Sequence, residues 1–206
     1  MKIKFISLKQ YLDVNKKFFV FLTSILLIAI IAGSVFSLIL NDTDASLVSE
    51  FLSKYLENIS TGKLTYKDTI ISILTENLAL TSLILILSYS VVGVPFIILM
   101  FFYKSFIIGF SISSILINYR IKGILFSILY VFPHHVIGLI LLIFFIIKGT
   151  NISYKIIQLL FLKGIKKPNN FNFLKSYLFV SFFLILISIY EITFLPYILK
   201  IVLNIK

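Results

Sequence analysis

Five stretches of this chain are apolar, and its polar residues are confined to the gaps between them. Phe18 to Leu40 is a 23-residue run, close to the about 20 residues that carry a helix across about 30 Å of hydrocarbon. Ile70 to Val92 and Pro95 to Ile117 follow, parted by Gly93-Val94-Pro95, the residues a tight turn requires. A single helix from Ile70 to Ile117 would overrun one bilayer, so this part reads as a hairpin of two helices. Gly123 to Ile147, interrupted at Pro133, and Ser176 to Ile201 complete the set. Charge obeys the same partition. Between Asp68 and Tyr119 the only charges are Glu76 and Lys104, between Gly123 and Ile147 there is none, and between Ser176 and Leu199 there is only Glu191. The pattern predicts an all-α polytopic bundle of five transmembrane helices forming one membrane domain over residues 1–206.

Composition sharpens this picture. Of 206 residues 60% are apolar and 13% charged, with a mean hydropathy of +1.09, which leaves too little polar surface to coat a globule of this size. A soluble enzyme domain is excluded. The net charge of +11 sits beside apolar spans, where basic residues read as orientation signals and not as a nucleic-acid surface. No cysteine is present, so disulfides, thiol catalysis and thiolate metal sites are excluded. Phe18 to Leu40 is longer than a signal-peptide core and ends without a small-x-small cleavage site, which favours a first transmembrane helix.

The distribution of Lys and Arg sets direction. Five lysines precede Phe18 and six lie between Lys148 and Lys175 without an acid, whereas Asn41 to Thr69 holds three basic residues against five acidic ones. The first two segments are expected in the cytoplasm and the third outside. Five spans then place the C-terminus outside, with Arg120 and Lys122 on the outer side against the rule. No internal repeat of the kind that marks inverted-repeat transporters is visible.

Two connections carry their own apolar periodicity. Leu47, Val48, Phe51, Leu52, Tyr55, Leu56 and Ile59 recur at helical spacing while Glu50, Lys54 and Glu57 fall elsewhere, as in an outer helix lying on the membrane or against a partner. Phe51, Leu52, Tyr55 and Leu56 are the candidate partner surface, and packing on the chain's own bundle is the equal alternative. On the inner side Ile152 to Leu162 is expected to lie flat in the interface before Gly164 and Pro168, with Lys163, Lys166 and Lys167 toward anionic headgroups.

Polar residues within the spans need a partner, water or a neutral state, since an ionised group in hydrocarbon costs roughly 2.5–3.5 kcal/mol on insertion scales. Depth along the helices places Glu76 and Glu191 roughly 8–9 Å below the outer surface and Lys104 and His134 near the midplane. Lys104 can reach either carboxylate, and the pair with Glu191 is the one expected. Glu76, Asn77, Lys104, His134, His135 and Glu191 are therefore the candidate intramembrane polar residues, as a register-setting pair or as an ion path. Adjacent His134 and His135 point about 100° apart and lack a third ligand nearby, which argues against a metal site. Ser105, Gly109 and Ser113 form a small-xxx-small stripe for close helix packing, with a homodimer face as the sharper alternative. Ser181, Ser188 and Glu191 share one face of the last helix, which should look inward. No nucleophile-base set, Gly-rich phosphate loop or zinc-protease helix motif is present, so neither catalysis nor a cofactor is expected.

Several blocks resemble the stage II sporulation protein M family of bacterial membrane proteins. They are Glu76-Asn77-Leu78, Gly93-Val94-Pro95, Tyr103-Lys104-Ser105-Phe106-Ile107-Ile108-Gly109-Phe110, Gly123-Ile124-Leu125-Phe126 leading to Pro133-His134-His135, and Glu191-Ile192-Thr193-Phe194-Leu195-Pro196. The chain departs from the pattern at His135, where Asn or another small polar residue is expected, and at Ser105. The resemblance implies a non-catalytic scaffold in the mother-cell membrane. Such a scaffold recruits the peptidoglycan hydrolases, stage II sporulation proteins P and D, for engulfment. A transporter or permease subunit with an intramembrane Glu/Lys/His site is the competing reading.

Overall fold

The computed structural model describes residues 15–61, 66–128, 132–161 and 170–193, which form six helices and, among the described residues, no strand. In chain order these are α1 (Lys16–Leu38), α2 (Asp42–Thr61), α3 (Tyr66–Ser88), α4 (Gly93–Phe126), α5 (Phe132–Phe161) and α6 (Asn170–Thr193). By length and composition α1, α4, α5 and α6 can each cross a bilayer, while the apolar stretch described in α3, Leu74–Ser88, is shorter. The protein is thus an all-helical multi-pass membrane protein.

Side-chain pairs along the bundle fix the helix directions. Asn77 meets Ser188, Ser82 meets Tyr177 and Tyr89 meets Phe173, so α3 and α6 are antiparallel. Gly138 lies beside Leu184 and Gly149 beside Phe173, which makes α5 and α6 antiparallel too. Ser34 bonds Gly109 and Ser37 bonds Ser114, so α1 and α4 run in parallel. Accordingly α1, α4 and α6 point one way, and α3 and α5 the other.

The close approach of α1 to α4 follows from small residues on both. A Cβ on Gly33 would stand 2.1 Å from the Phe106 carbonyl oxygen, and one on Gly109 2.1 Å from that of Ile30. Hydroxyls close the seam: Ser34 Oγ donates to the Gly109 carbonyl and Ser113 Oγ to that of Ser34, each at 3.2 Å. Without a hydrophobic drive between helices in lipid, such backbone approach and interhelical hydrogen bonding supply the association. The stripe on α4 is therefore occupied within the chain. Its complement on α1 is Ala29, Gly33 and Ser37, all buried.

α5 is the central helix. More than half of its apolar window is buried, 56% against 17% for α1, which accounts for its being apolar on all sides. It continues past Lys148 to Phe161, so Ile152 to Leu162 does not form a separate flat helix; Ile152 and Ser153 are buried in the bundle. The reason is local: no proline interrupts residues 134–161, and Lys148 is accommodated by Ser176 and the Phe144 ring. The fourth span likewise does not start at Gly123. Arg120 adopts φ 49°, ψ −121°, and the chain folds back there, bringing Gly123 within contact of the Ile115 carbonyl. In a straight helix residues eight apart would be about 12 Å apart. α6 begins at Asn170, ahead of Ser176.

The turn between α3 and α4 lies at residues 89–92, four residues ahead of the expected Gly93-Val94-Pro95, which instead opens α4. A Cβ at Gly93 would lie 1.8 Å from the Leu87 carbonyl oxygen, so only glycine fits, and Pro95 falls in the first turn of α4, where a missing N–H costs nothing. At the other end Asn41 caps α2: its Oδ1 accepts from the Asp44 N–H and the Thr43 hydroxyl, each at 2.8 Å.

Candidate functional site

Three helices bring family-like residues from distant parts of the chain to one cavity of about 70 Å³. Glu76 and Asn77 come from α3, Lys104 from α4 and His135 from α5, over an apolar floor that includes Leu139, Leu142 and Leu184. The Lys104 ammonium lies 2.5 Å from Glu76 Oε1. Lys104 is thus paired with Glu76; the side chain of Glu191, the partner expected from the sequence, lies outside the described residues. Depth along the membrane allowed this pairing, and the antiparallel α3–α4 hairpin brings the two side chains together. The two charges are unequally placed, with Lys104 only 13% exposed and Glu76 59% exposed. The ammonium is inside the bundle and the carboxylate stands at the cavity mouth.

Around the pair, the amide and several buried hydroxyls have structural partners. Asn77 Nδ2 donates to Ser188 Oγ at 3.1 Å, and the Ser188 hydroxyl donates to the Leu184 carbonyl at 2.9 Å. Thr81 and Ser105, both fully buried, return their hydroxyls to carbonyls one turn back. Ser181 and Ser188 are buried, so these two members of the expected face of α6 look inward. An acid, an ammonium, an amide and an imidazole can together hold water or a small polar group. Among the described residues no group of three His, Asp or Glu side chains could hold a metal.

α2 divides its apolar residues between two faces. Leu52 and Tyr55 pack against the core, whereas Leu47 and Phe51 are 62% and 70% exposed. Glu50 and Lys54 pair one turn apart at 2.5 Å beside them. The hydrogen bond and charge of Lys54 hold the Glu50 carboxyl below its usual range, and Glu50 raises Lys54 in return. Of the other expected residues, Pro133 and His134 lie at the start of α5 and Leu56 in α2, with side chains outside those described; Pro196 is outside the described residues.

A family model described as stage II sporulation protein M matches residues 18–194. The chain belongs to the stage II sporulation protein M family. No curated protein and no solved structure matches it. For this family member the matched segment covers the described bundle apart from residues 15–17 and stops two residues short of Pro196. Its family-like blocks serve two structural purposes. Glu76-Asn77, Lys104 and His135 build the cavity, and Ser105 to Gly109 continue from it into the α1 seam. Sequence reasoning missed the α1 half of that seam, although Ala29, Gly33 and Ser37 carry the same four-residue spacing as Ser105, Gly109 and Ser113.

Proposed function

We propose that this protein is a non-catalytic membrane scaffold that recruits peptidoglycan hydrolases during engulfment of the forespore. Membership of a sporulation family supports the setting. The observation that carries the recruiting role is the outward face of α2. Leu52 and Tyr55 already anchor that helix to the bundle, so Leu47 and Phe51 are not needed for its own packing and present an apolar ridge flanked by charge. On this reading the chain crosses the membrane five times, with α2 outside, where the wall is, and stage II sporulation proteins P and D are the partners. The test is Leu47→Ser with Phe51→Ser. Membrane abundance should be unchanged while co-purification of the tagged hydrolases from sporulating cells falls by about tenfold, the effect of removing two exposed anchors. Normal hydrolase co-purification and localisation in the double variant would refute the role of this face.

A second reading, a transporter subunit, is favoured by the Glu76–Lys104 pair beside His135. Solute flux across liposomes containing the purified chain alone would support it over the scaffold.

A further inference from the structure

Polar side chains in membrane-spanning helices face the bundle interior or water as a rule. The α3–α4 hairpin departs from it. Lys104 stands eleven residues beyond Gly93, the first residue of α4, which places it about 17 Å from the turn and inside about 30 Å of hydrocarbon. Glu76 meets it at that level, yet its side chain is 59% exposed. One carboxylate oxygen, Oε1, accepts from the ammonium, and among the described residues no group donates to the other. Tyr103 adjoins Lys104 and points about 100° away from it around α4. Its ring is 64% exposed, and among the described residues its hydroxyl has no hydrogen-bond partner. On α3 the small residues Thr75 and Ala79, one turn apart and both exposed, flank Glu76, and Leu83 and Ile86 continue that face. An acceptor, a phenol and a low step in the helix surface thus look outward together.

The occupant of this face follows from its chemistry. Lipid tails offer no donor. A cationic side chain fits poorly, because Lys104 already neutralises Glu76 and a second cation would stand uncompensated in hydrocarbon. An uncharged amide fits, with its N–H toward Glu76 and its carbonyl toward the Tyr103 hydroxyl. A second copy of the chain does not supply one: the outward faces of α1 and α6 at this level are formed by Leu27, Ile28, Leu186 and Ile189, and α3 against α3 would set Glu76 opposite Glu76. We propose that this side of the hairpin docks a transmembrane helix of a different protein, apolar except for one Asn or Gln near the middle of the bilayer. Thr75 and Ala79 let its backbone come close. The surface lies within the membrane and is independent of recruitment through α2.

The experiment places the full chain, carrying a donor dye at Ser53→Cys, in phosphatidylcholine vesicles with synthetic poly-leucine transmembrane peptides carrying an acceptor dye. One peptide has a central Asn and the other is leucine throughout. Energy transfer should show the Asn peptide associating about threefold or more tightly than the all-leucine one, the effect of an interhelical hydrogen bond in lipid. Tyr103→Phe should at least halve that preference, and Glu76→Leu with Lys104→Met should abolish it. Ser24→Ala, exposed on α1 and bonded to its own helix, should leave it unchanged. If the charge-pair variant fails to fold, Tyr103→Phe decides. Equal association of the two peptides, an unchanged preference in Tyr103→Phe, or an equal fall in Ser24→Ala would overturn the proposal. So would transfer between copies of the chain that Tyr103→Phe removes, since the occupant is then a second copy. Labelling of Ala79→Cys by an impermeant thiol reagent in intact vesicles would also overturn it, as the face then opens on water.

Discussion

The two ends of the bundle differ in both charge and construction. At one end the described charges are Lys16, Lys17, Lys148, Lys155 and Lys175, with no acid among them. At the other stand Asp42, Asp44, Glu50, Glu57 and Glu76, with Lys54, Lys104, Arg120 and Lys122. The basic end is tied together by contacts between distant segments: Asn151 to Asn15, Ser153 to the Ser90 carbonyl and Lys148 to Ser176. The acidic end carries the open cavity mouth, the backbone reversal at Arg120 and the exposed ridge of α2. One end is built to be held by a membrane surface, and the other leaves side chains unoccupied by the fold.

Detaching α1 would break this contrast most completely, since α1 takes Lys16 and Lys17 to one end and α2 to the other. Gly109→Ala places a Cβ 2.1 Å from the Ile30 carbonyl oxygen, which backbone cannot yield without separating the helices. A loss on the order of 4 kcal/mol and near-complete loss of folded protein are expected, read as membrane abundance and thermal midpoint. Gly138→Ala, whose Cβ would meet only Leu184 Cδ2 at 3.9 Å, is the matched control and should be tolerated.

The cavity pair should respond asymmetrically. Glu76→Gln strands an ammonium that is 13% exposed, for which a cost on the order of 3 kcal/mol is expected, whereas Lys104→Met strands a carboxylate that is 59% exposed, at about 1 kcal/mol. The double variant should recover much of the larger loss. Equal single losses that simply add in the double variant would contradict the pairing. Arg120→Gly should act in the opposite direction. A φ of 49° is strained for arginine and free for glycine, so a gain of about 1 kcal/mol is expected, seen as a raised thermal midpoint.

The smallest effect belongs to the exposed Glu50–Lys54 pair. Because the folded state lowers the Glu50 carboxyl, its contribution is present above the usual carboxylate range and lost as pH falls through the lowered value. Lys54 is raised, so its contribution is lost only as pH rises through its own raised value. Glu50→Gln should therefore lower the midpoint slightly at neutral pH, not at all at strongly acidic pH, and less in high salt.

What was legible in sequence follows from what each signal measures. Apolar run length located α1, the α3–α4 hairpin and α6, because burying or lipid-facing backbone leaves few alternatives to a helix. The Ser105-Gly109-Ser113 stripe announced a close helix contact, but spacing on one helix does not name its neighbour. Depth along the chain brought Glu76 within reach of Lys104, and the lateral adjacency that makes the pair, set by the hairpin, is not encoded in depth. Lys148 suggested a membrane edge, and the helix ran through it because a hydroxyl and an aromatic face receive the ammonium. The apolar stripe of α2 was visible, yet which residues face the bundle depends on α4, so Tyr55 proved to be an anchor and Phe51 an exposed group.

Everything proposed for α2 requires the acidic end to lie outside the cell. The cysteine-free chain allows this to be measured with one cysteine at each end, Ser53→Cys on α2 and Tyr154→Cys on α5, both at exposed positions. With a membrane-impermeant thiol reagent, Ser53→Cys should label in intact cells and Tyr154→Cys only after lysis. The reverse pattern would contradict the account.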